Sequence, residues 1–199
     1  MRKIRIFAHA SLDGVISPGG PNEDSDYAHG GWTAPYRSPA GAAAVAEAQG
    51  TTFDLLLGRR TYDLWSRHWP TAPSGPISDP LNAATKYVAT HRPEGLDWGP
   101  AVNLGPDILD GIRSLRSNDG PDLIVWGSAT LTSLLFEQGL VDEVVLCVYP
   151  VLLGRGKRFF SDSAAAQELS FVGTKALPSG VLVNTYRCVG AIQAQPLPK

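Results

Sequence analysis

Short apolar runs separated by polar, glycine-rich or proline-rich turns divide the chain into alternating predicted strands and helices. The first run, residues 3–9 (KIRIFAH), alternates polar and apolar side chains and ends in the turn-like SLDG, which is typical of a strand. Further strands are predicted at 53–58 (FDLLLG), 86–90 (KYVAT), 101–105 (AVNLG) and 121–127 (PDLIVWG).

Helical patterns follow most of these strands. An alanine-rich helix is predicted at 40–50 and ends at Gly50, and residues 61–69 (TYDLWSRHW) also have a helical pattern. Apolar side chains fall on one face of predicted helices at 107–117 and 128–139. Residues 71–80 (TAPSGPISDP) are rich in Pro, Gly and Ser and are predicted to form a loop.

After residue 140 the pattern consists of strands joined by loops. Strands are predicted at 141–154, 168–177 and 181–188, the last two forming a hairpin through LPSG. Strands that alternate with helices indicate an α/β fold with a mostly parallel sheet and helices on both faces. We predict a single domain over residues 1–199, with a core at about 3–188, antiparallel C-terminal edge strands and a loose tail at 189–199.

Composition limits the class of protein. The chain is 43% hydrophobic and 18% charged with a net charge of -2, which favours a globular protein and argues against a nucleic-acid partner. Cys147 and Cys188 lie in apolar runs and are predicted to be free thiols in a reducing compartment. No run approaches the roughly 20 apolar residues of a membrane span, and the N-terminus lacks a signal-peptide pattern. We therefore predict a cytoplasmic protein.

Three predicted strand ends carry residues suited to an anion. Gly58-Arg59-Arg60-Thr61 and Gly127-Ser128-Ala129-Thr130 each place a glycine before a helix whose N–H groups could meet a phosphate, with Ser128 or Thr130 available as the helix cap. Thr90-His91-Arg92 ends a third strand. A capped turn or a solvated arginine pair explains the first two ends equally well when each is taken alone. The third end is the weaker signal, since a His-Arg pair in a loop is usually only surface. Parallel strands would bring all three ends side by side, which favours an extended, doubly phosphorylated ligand.

Other chemical motifs do not occur in the sequence. It contains no GxxxxGK[ST] phosphate loop, no GxSxG and no HExxH, and Gly154-Arg155-Gly156 lacks the third glycine of a dinucleotide fingerprint. The four histidines, His9, His29, His68 and His91, are scattered without metal-ligand spacing. We predict no metal site.

The motifs, in order, resemble those of a known superfamily. SLDGVI, LLLGRRTYD, YVATHRP, LIVWGSATLTSLLFEQGLVDEV and YPVLLGRGKRFF run through the chain from about residue 3 to 188. This order resembles the dihydrofolate reductase-like superfamily, in particular the C-terminal reductase domain of bifunctional riboflavin-biosynthesis enzymes and their stand-alone bacterial relatives. The resemblance implies a mostly parallel mixed sheet that binds NADPH across the strand ends.

The resemblance also assigns roles to residues. It implies that Gly58, Arg59 and Thr61 hold cofactor phosphates, and that Thr90, His91 and Arg92 lie by the adenosine ribose and its 2′-phosphate. The segment Gly127, Ser128, Ala129 and Thr130 would lie against the pyrophosphate and nicotinamide. Ala8, Val15 and Ile16 would line the nicotinamide pocket.

The sequence departs from ordinary dihydrofolate reductases at the substrate end. Those enzymes place a carboxylate on the helix after the first loop, whereas here no Asp or Glu occurs between Asp26 and Glu47. Asp13 is the remaining candidate acid for a substrate nitrogen or hydroxyl; capping of its own turn is the alternative role. Trp32, Tyr36 and Trp65 could form an aromatic wall for a planar ring, or could serve in packing.

These residues support two functional hypotheses. The first is an NADPH-dependent reductase that transfers a hydride to a small planar pterin-, flavin-precursor- or carbonyl-type substrate. The second is a non-catalytic NADP(H)-binding or regulatory protein on the same fold, which the missing carboxylate suggests. The apolar late strands and the resemblance also predict a homodimer.

Overall fold

Eight strands and five helices make up the regular structure of the computed structural model, which describes residues 1–16, 27–160, 164 and 166–192. The strands are β1 (Ile4–Ser11), β2 (Asp54–Gly58), β3 (Lys86–Ala89), β4 (Ala101–Asn103), β5 (Leu123–Trp126), β6 (Glu143–Tyr149), β7 (Gln167–Ala176) and β8 (Leu182–Ala191). The helices are α1 (Pro39–Gln49), α2 (Arg59–Trp65), α3 (Ser78–Ala83), α4 (Ile108–Ser117) and α5 (Ala129–Glu137).

The strands form one sheet in the order β4-β3-β2-β5-β1-β6-β8-β7. Neighbouring strands from β4 to β6 pair in parallel, whereas β8 runs antiparallel to both β6 and β7. The predicted mixed, mostly parallel sheet with a C-terminal hairpin is confirmed. Strand β6 lies inside the sheet, parallel to β1 and antiparallel to β8.

Helices cover both faces of the sheet, as predicted. Two apolar clusters result, because successive strand residues point to opposite faces. The first cluster contains Phe7 and Trp126 of the sheet and packs against α1, α2 and α3. The second contains Ile6 and Val125 and packs against α4 and α5.

Local sequence explains where the helices begin. Ser38 caps α1 by accepting the Gly41 N–H, and Asp107 caps α4 by accepting the Asp110 N–H. Helix α3 was missed, since its segment was predicted as loop on account of its prolines. Pro80 lies in the first turn of α3, where proline is compatible with a helix.

Helix α2 begins and ends earlier than predicted. It starts at Arg59, directly after β2, and ends at Trp65; a turn and then a 3₁₀ helix at Trp69–Thr71 follow it. Strand β8 extends to Ala191, so the predicted loose tail at 189–199 was wrong for its first residues. Residues 17–26 and 193–199 lie outside the described ranges.

The described residues contain neither a membrane-spanning helix nor a cluster of metal-ligating side chains. None of the helices there has the length and hydropathy to cross a membrane. Within the same ranges, no three side chains of His, Cys, Asp or Glu gather as a group that could hold a metal ion.

Candidate functional site

The parallel strands β1, β2, β3, β5 and β6 end at the same edge of the sheet, which we call the carboxyl edge. Ligands of open α/β sheets bind at such edges, where chain turns and helix N-termini expose backbone N–H groups. The predicted anion-suited segments all begin at this edge, after β2, β3 and β5.

A hydroxyl joins the ends of β2 and β5. Ser128 Oγ accepts the Gly58 N–H at 3.0 Å and lies 3.0 Å from Thr61 Oγ1. A Cβ added at Gly58 would lie 3.4 Å from Ser128 Oγ, which is an ordinary van der Waals contact. Two of the three predicted segments are therefore in direct contact.

Helix α5 begins from an unusual backbone conformation. Gly127 has φ 57° and Ser128 has φ 46°, and Ser128 is the only non-glycine residue with positive φ among those described. A left-handed residue of this kind costs about 1 kcal/mol. The predicted helix cap was wrong for Ser128, whose side chain makes no cap hydrogen bond, and Thr130 lies inside the helix.

Arg59 is held by three hydrogen bonds. Its Nε donates to Asp63 Oδ1 at 2.7 Å, and its Nη1 donates to the carbonyls of Arg92 and Glu94 at 2.6 and 2.7 Å. These bonds fix the loop after β3 against α2. The remaining Nη2 donors stay near Gly95, since a Cβ added there would lie 3.4 Å from Nη2.

The turn after β3 is ordered by its own threonine. The buried Thr90 accepts the Arg92 N–H through Oγ1 at 3.0 Å. His91 and Arg92 are exposed, and the Arg92 guanidinium lies 3.5 Å from Asp63 Oδ2. Arg59, Arg92 and Asp63 therefore form one charged group beside the end of β3.

The segment after β1 packs mostly inward. Ala8 and Val15 are buried, and Ile16 is half-buried against the second cluster. The Ile16 N–H donates to the Lys157 carbonyl at 2.7 Å, and the Phe159 N–H donates to the Gly14 carbonyl at 2.9 Å. The side chains of Ala8 and Val15 thus contribute to the core, which leaves backbone atoms and Ile16 for a ligand at this strand end.

Asp13 connects the turn after β1 with the loop after β6. Its Oδ1 accepts from Ser11 Oγ at 2.6 Å and from the Leu153 N–H at 3.1 Å, and its Oδ2 accepts the Gly154 N–H at 2.8 Å. These hydrogen bonds, led by that from Ser11, lower the pKa of Asp13 to about 2. The carboxylate is ionised at neutral pH, so its chemistry there is that of an acceptor that positions the turn.

Aromatic side chains cover the first-cluster face near the carboxyl edge. Trp32 and Tyr36 contact Tyr149 edge to face, with ring centroids 5.0 and 5.5 Å apart. The ring centroids of Trp65 and Trp126 lie 6.1 Å apart. The three aromatic residues predicted to form a wall therefore lie on the same face of the sheet, where they contact Tyr149 and Trp126.

Sequence reasoning missed a polar pair within this wall. His9 Nδ1 lies 2.9 Å from Tyr149 Oη, and the imidazole is also 5.5 Å from the Trp126 ring. The available signal was the strand alternation, which puts His9 on the same face as Phe7. Their separation by 140 residues concealed the pairing with Tyr149.

The donor groups at the carboxyl edge suit a phosphorylated ligand. Helix α5 opens with N–H groups that the Ser128 side chain does not cap, Gly127 and Thr130 are exposed, and the Arg92 guanidinium is 69% exposed. Backbone N–H groups at a helix start and an arginine are typical phosphate partners. These residues fit a dinucleotide laid across the ends of β2, β3 and β5.

Comparison with solved structures identifies the same architecture. A putative riboflavin biosynthesis protein from Shewanella sp. PV-4 superposes with a TM-score of 0.62 at 19% identity, over 94% of this chain and 98% of that one. Dihydrofolate reductase from Enterococcus faecalis, complexed with NADP(H) and RAB-propyl, gives a TM-score of 0.59 at 14% identity, over 94% and 96%. The predicted dihydrofolate reductase-like fold is confirmed.

Sequence comparison gives the family. The chain is 31% identical over 140 residues to the uncharacterized protein YyaP of Bacillus subtilis, covering 68% of this chain and 74% of that protein. It is 24% identical over 186 residues to the uncharacterized protein YwjB of the same organism, covering 94% and 98%. The model of the RibD C-terminal domain matches residues 2–183. The chain therefore belongs to the RibD C-terminal domain family.

Proposed function

We propose that the protein is an NADPH-dependent reductase that transfers a hydride to a small planar pterin-, flavin-precursor- or carbonyl-type substrate. The observation that carries this proposal is the set of anion-suited turns joined at the carboxyl edge through Ser128, Gly58 and Thr61. Membership of the RibD C-terminal domain family supports a reductase-type function. The NADP(H) of the Enterococcus faecalis enzyme, which shares this fold, supports the choice of cofactor.

Residues at each strand end have a role in this proposal. Phosphates of the cofactor would meet Gly58, Arg59, Thr61 and the start of α5 at Gly127, Ser128, Ala129 and Thr130. The 2′-phosphate would lie by Thr90, His91 and Arg92. The nicotinamide would lie by Ala8, Val15 and Ile16, and the substrate against Trp32, Tyr36 and Trp65.

The protein's contribution is orientation and exclusion of water, since the bound cofactor itself supplies the hydride. Arg59 would act partly through the loop that it holds, because its Nε and Nη1 are bound to Asp63, Arg92 and Glu94. Asp13 would position the pocket edge, because both its oxygens accept hydrogen bonds within the protein.

A non-catalytic NADP(H)-binding or regulatory role is the second candidate. Helix α1 offers no acid to a substrate, since its one carboxylate, Glu47, is exposed and pairs with Lys175 at 2.5 Å. The same observation leaves true dihydrofolate reductase activity outside the proposal. NADPH oxidation with a panel of pterins, flavin precursors and quinones separates the two candidates: turnover of any of them excludes a purely binding role.

The deciding experiment is a fluorescence titration of the protein with NADPH, with NADH as the comparison. Binding of NADPH at micromolar concentration is expected, and tighter than that of NADH if Arg92 meets the 2′-phosphate. Absence of NADPH binding at that concentration would contradict both candidate functions.

We also propose a homodimer in the cytoplasm. The hairpin of β7 and β8 leaves Phe171, Val189 and Ile192 59%, 58% and 59% exposed. Strand β7 is the last strand of the sheet, and no other strand of the described residues pairs with its outer edge. A second copy that covers this hairpin would bury these side chains.

The free thiols of Cys147 and Cys188 support a reducing compartment.

A further inference from the structure

His9 and Tyr149 occupy neighbouring positions near the ends of two parallel strands. In the register of β1 and β6, His9 lies opposite Cys147 and Ser11 lies opposite Tyr149. The two rings therefore point to the same face, and His9 Nδ1 lies 2.9 Å from Tyr149 Oη. The roles proposed above for the strand ends do not involve this pair.

The environment keeps both rings uncharged at neutral pH. Burial, and then the Arg37 guanidinium, lower the pKa of His9 to about 4. Burial and the neighbouring Cys147 thiol raise the pKa of Tyr149, against a smaller opposing effect of Arg37. A neutral imidazole carries one N–H and the phenol carries one O–H, whereas their mutual hydrogen bond uses only one of these hydrogens. In either tautomer the pair therefore retains one donor for a third group.

The surroundings of the pair are aromatic. The Trp126 ring lies 5.5 Å from His9, and Trp32 lies 5.0 Å from Tyr149. Arg37 is the charged group that acts on both rings. Within the described ranges, no carboxylate bonds to either ring. Aromatic faces favour a planar ring, and Arg37 disfavours a cationic one.

We propose that His9 and Tyr149 form the polar end of the substrate site, which selects a planar, uncharged or anionic ring whose carbonyl oxygen or imine nitrogen accepts the remaining hydrogen of the pair. This assignment rests on the proposed reductase function, which supplies the cofactor. The substrate class follows from His9, Tyr149 and the aromatic side chains around them. Protonated diamino heterocycles favour a carboxylate partner, and among the described residues neither ring has one, so these ligands are expected to bind less tightly.

The test measures equilibrium binding by calorimetry, without turnover. Three ligands are compared. Lumazine is a planar pteridine with carbonyls, and naphthalene has the same ring size without acceptors. Diaminopteridine is used at a pH below its pKa, where its ring is protonated. The variants are Tyr149→Phe, the double variant His9→Phe/Tyr149→Phe, and Tyr87→Phe as a control that removes a hydroxyl on the opposite face.

Lumazine is expected to bind wild-type protein more tightly than naphthalene or diaminopteridine. The ratio of the naphthalene and lumazine dissociation constants should fall about tenfold in the double variant, about two- to fivefold in Tyr149→Phe, and remain unchanged in Tyr87→Phe. Tyr149→Phe keeps the ring, so it provides the result if the double variant fails to fold.

Three results would overturn the proposal: no lumazine binding by the wild type, an unchanged ratio in folded variants, or tighter binding of diaminopteridine than of lumazine. NADPH titration of the same proteins separates this outcome from failure of the proposed function. If NADPH binding is intact and the ratio of the naphthalene and lumazine dissociation constants is unchanged, only the assignment of His9 and Tyr149 is contradicted. If the wild type does not bind NADPH, the proposed cofactor is contradicted.

Discussion

Ser128 Oγ and Thr61 Oγ1 lie 3.0 Å apart, and this contact joins the helix starts that follow β5 and β2. The two residues are separated by 67 positions in the chain and come together only because β2 and β5 are neighbouring parallel strands. The same Ser128 hydroxyl accepts the Gly58 N–H, so one side chain sets the spacing of two turns.

Two substitutions at Ser128 should separate the stabilisation by its hydroxyl from the destabilisation by its left-handed backbone conformation. Ser128→Ala is expected to lower the free energy of unfolding by about 1–2 kcal/mol, because the Gly58 N–H loses its acceptor. Ser128→Gly loses the same hydrogen bond but removes the strain of a non-glycine residue at positive φ. It should therefore be more stable than Ser128→Ala by about 1 kcal/mol. Urea unfolding measures both.

Ser133→Ala is the matched control for these variants, since its hydroxyl bonds only to the Ala129 carbonyl within α5. Equal stability of Ser128→Ala and Ser128→Gly would show that the positive φ of Ser128 stores no strain.

Replacement of Arg59 should weaken cofactor binding. Arg59→Ala removes the charge and releases the carbonyls of Arg92 and Glu94, so the NADPH dissociation constant is expected to rise by the equivalent of about 1–3 kcal/mol. Fluorescence titration measures this change. Arg113→Ala is the control, because Arg113 lies on α4 and bonds to Gln138 at an exposed site.

The variant Asp63→Asn tests how far the two arginines act through their positions. It removes the ion pairs of Asp63 with Arg59 and with Arg92 while keeping both positive charges. If positioning dominates, Asp63→Asn should weaken NADPH binding in the same direction as Arg59→Ala. An unchanged dissociation constant in Arg59→Ala would exclude Arg59 from the cofactor site.

His9 should make stability depend on pH on the acid side. Its pKa is lowered to about 4 in the folded protein, against an ordinary value near 6.5, so the unfolded chain binds the extra proton between these values. Stability should therefore fall as the pH drops from 6.5 to 4, by up to about 3 kcal/mol. His9→Gln should flatten this part of the curve.

The measurement is the free energy of unfolding at several pH values between 4 and 7. His91→Gln is the control, because His91 is exposed and should leave the slope unchanged. A wild-type slope that persists in His9→Gln would assign the acid sensitivity to other groups.

The sequence was sufficient for those features that depend on local pattern. The strand ends after β2, β3 and β5 were predicted because apolar runs stop at Gly58, Thr90 and Gly127, and parallel pairing then brings them together. The His9–Tyr149 contact was not predicted, since it depends on the direction of β6. The Ser128–Gly58 bond was also missed, because the local pattern offered Ser128 as a helix cap instead.

Asp13 should act through the loop after β6 and not as an acid. Asp13→Asn removes the negative charge that accepts the Leu153 and Gly154 N–H groups, so hydrogen exchange at these two amides should accelerate. The lowered pKa of Asp13 means that its contribution to stability is present above the ordinary value of 3.8 and is lost as the pH falls through about 2. Exchange is therefore best measured near neutral pH.

Asp79→Asn serves as the control for Asp13. Asp79 also accepts a hydroxyl and a backbone N–H, from Ser74 and Gly75, but at a site remote in sequence from the loop after β6. Its replacement should leave exchange at Leu153 and Gly154 unchanged. Unaltered exchange in Asp13→Asn would mean that the loop is held by other contacts.

Charge on the exposed hairpin should break the proposed dimer. Phe171 is 59% exposed on β7 and contacts Tyr186 of β8, with ring centroids 5.9 Å apart. In a dimer that buries this surface, Phe171→Lys would place a charge in an apolar interface and should convert the protein to monomer. Sedimentation velocity measures the change, with Ser114→Lys on the exposed face of α4 as the control. A wild-type monomer, or a Phe171→Lys dimer of undiminished stability, would place the contact between copies elsewhere or exclude it.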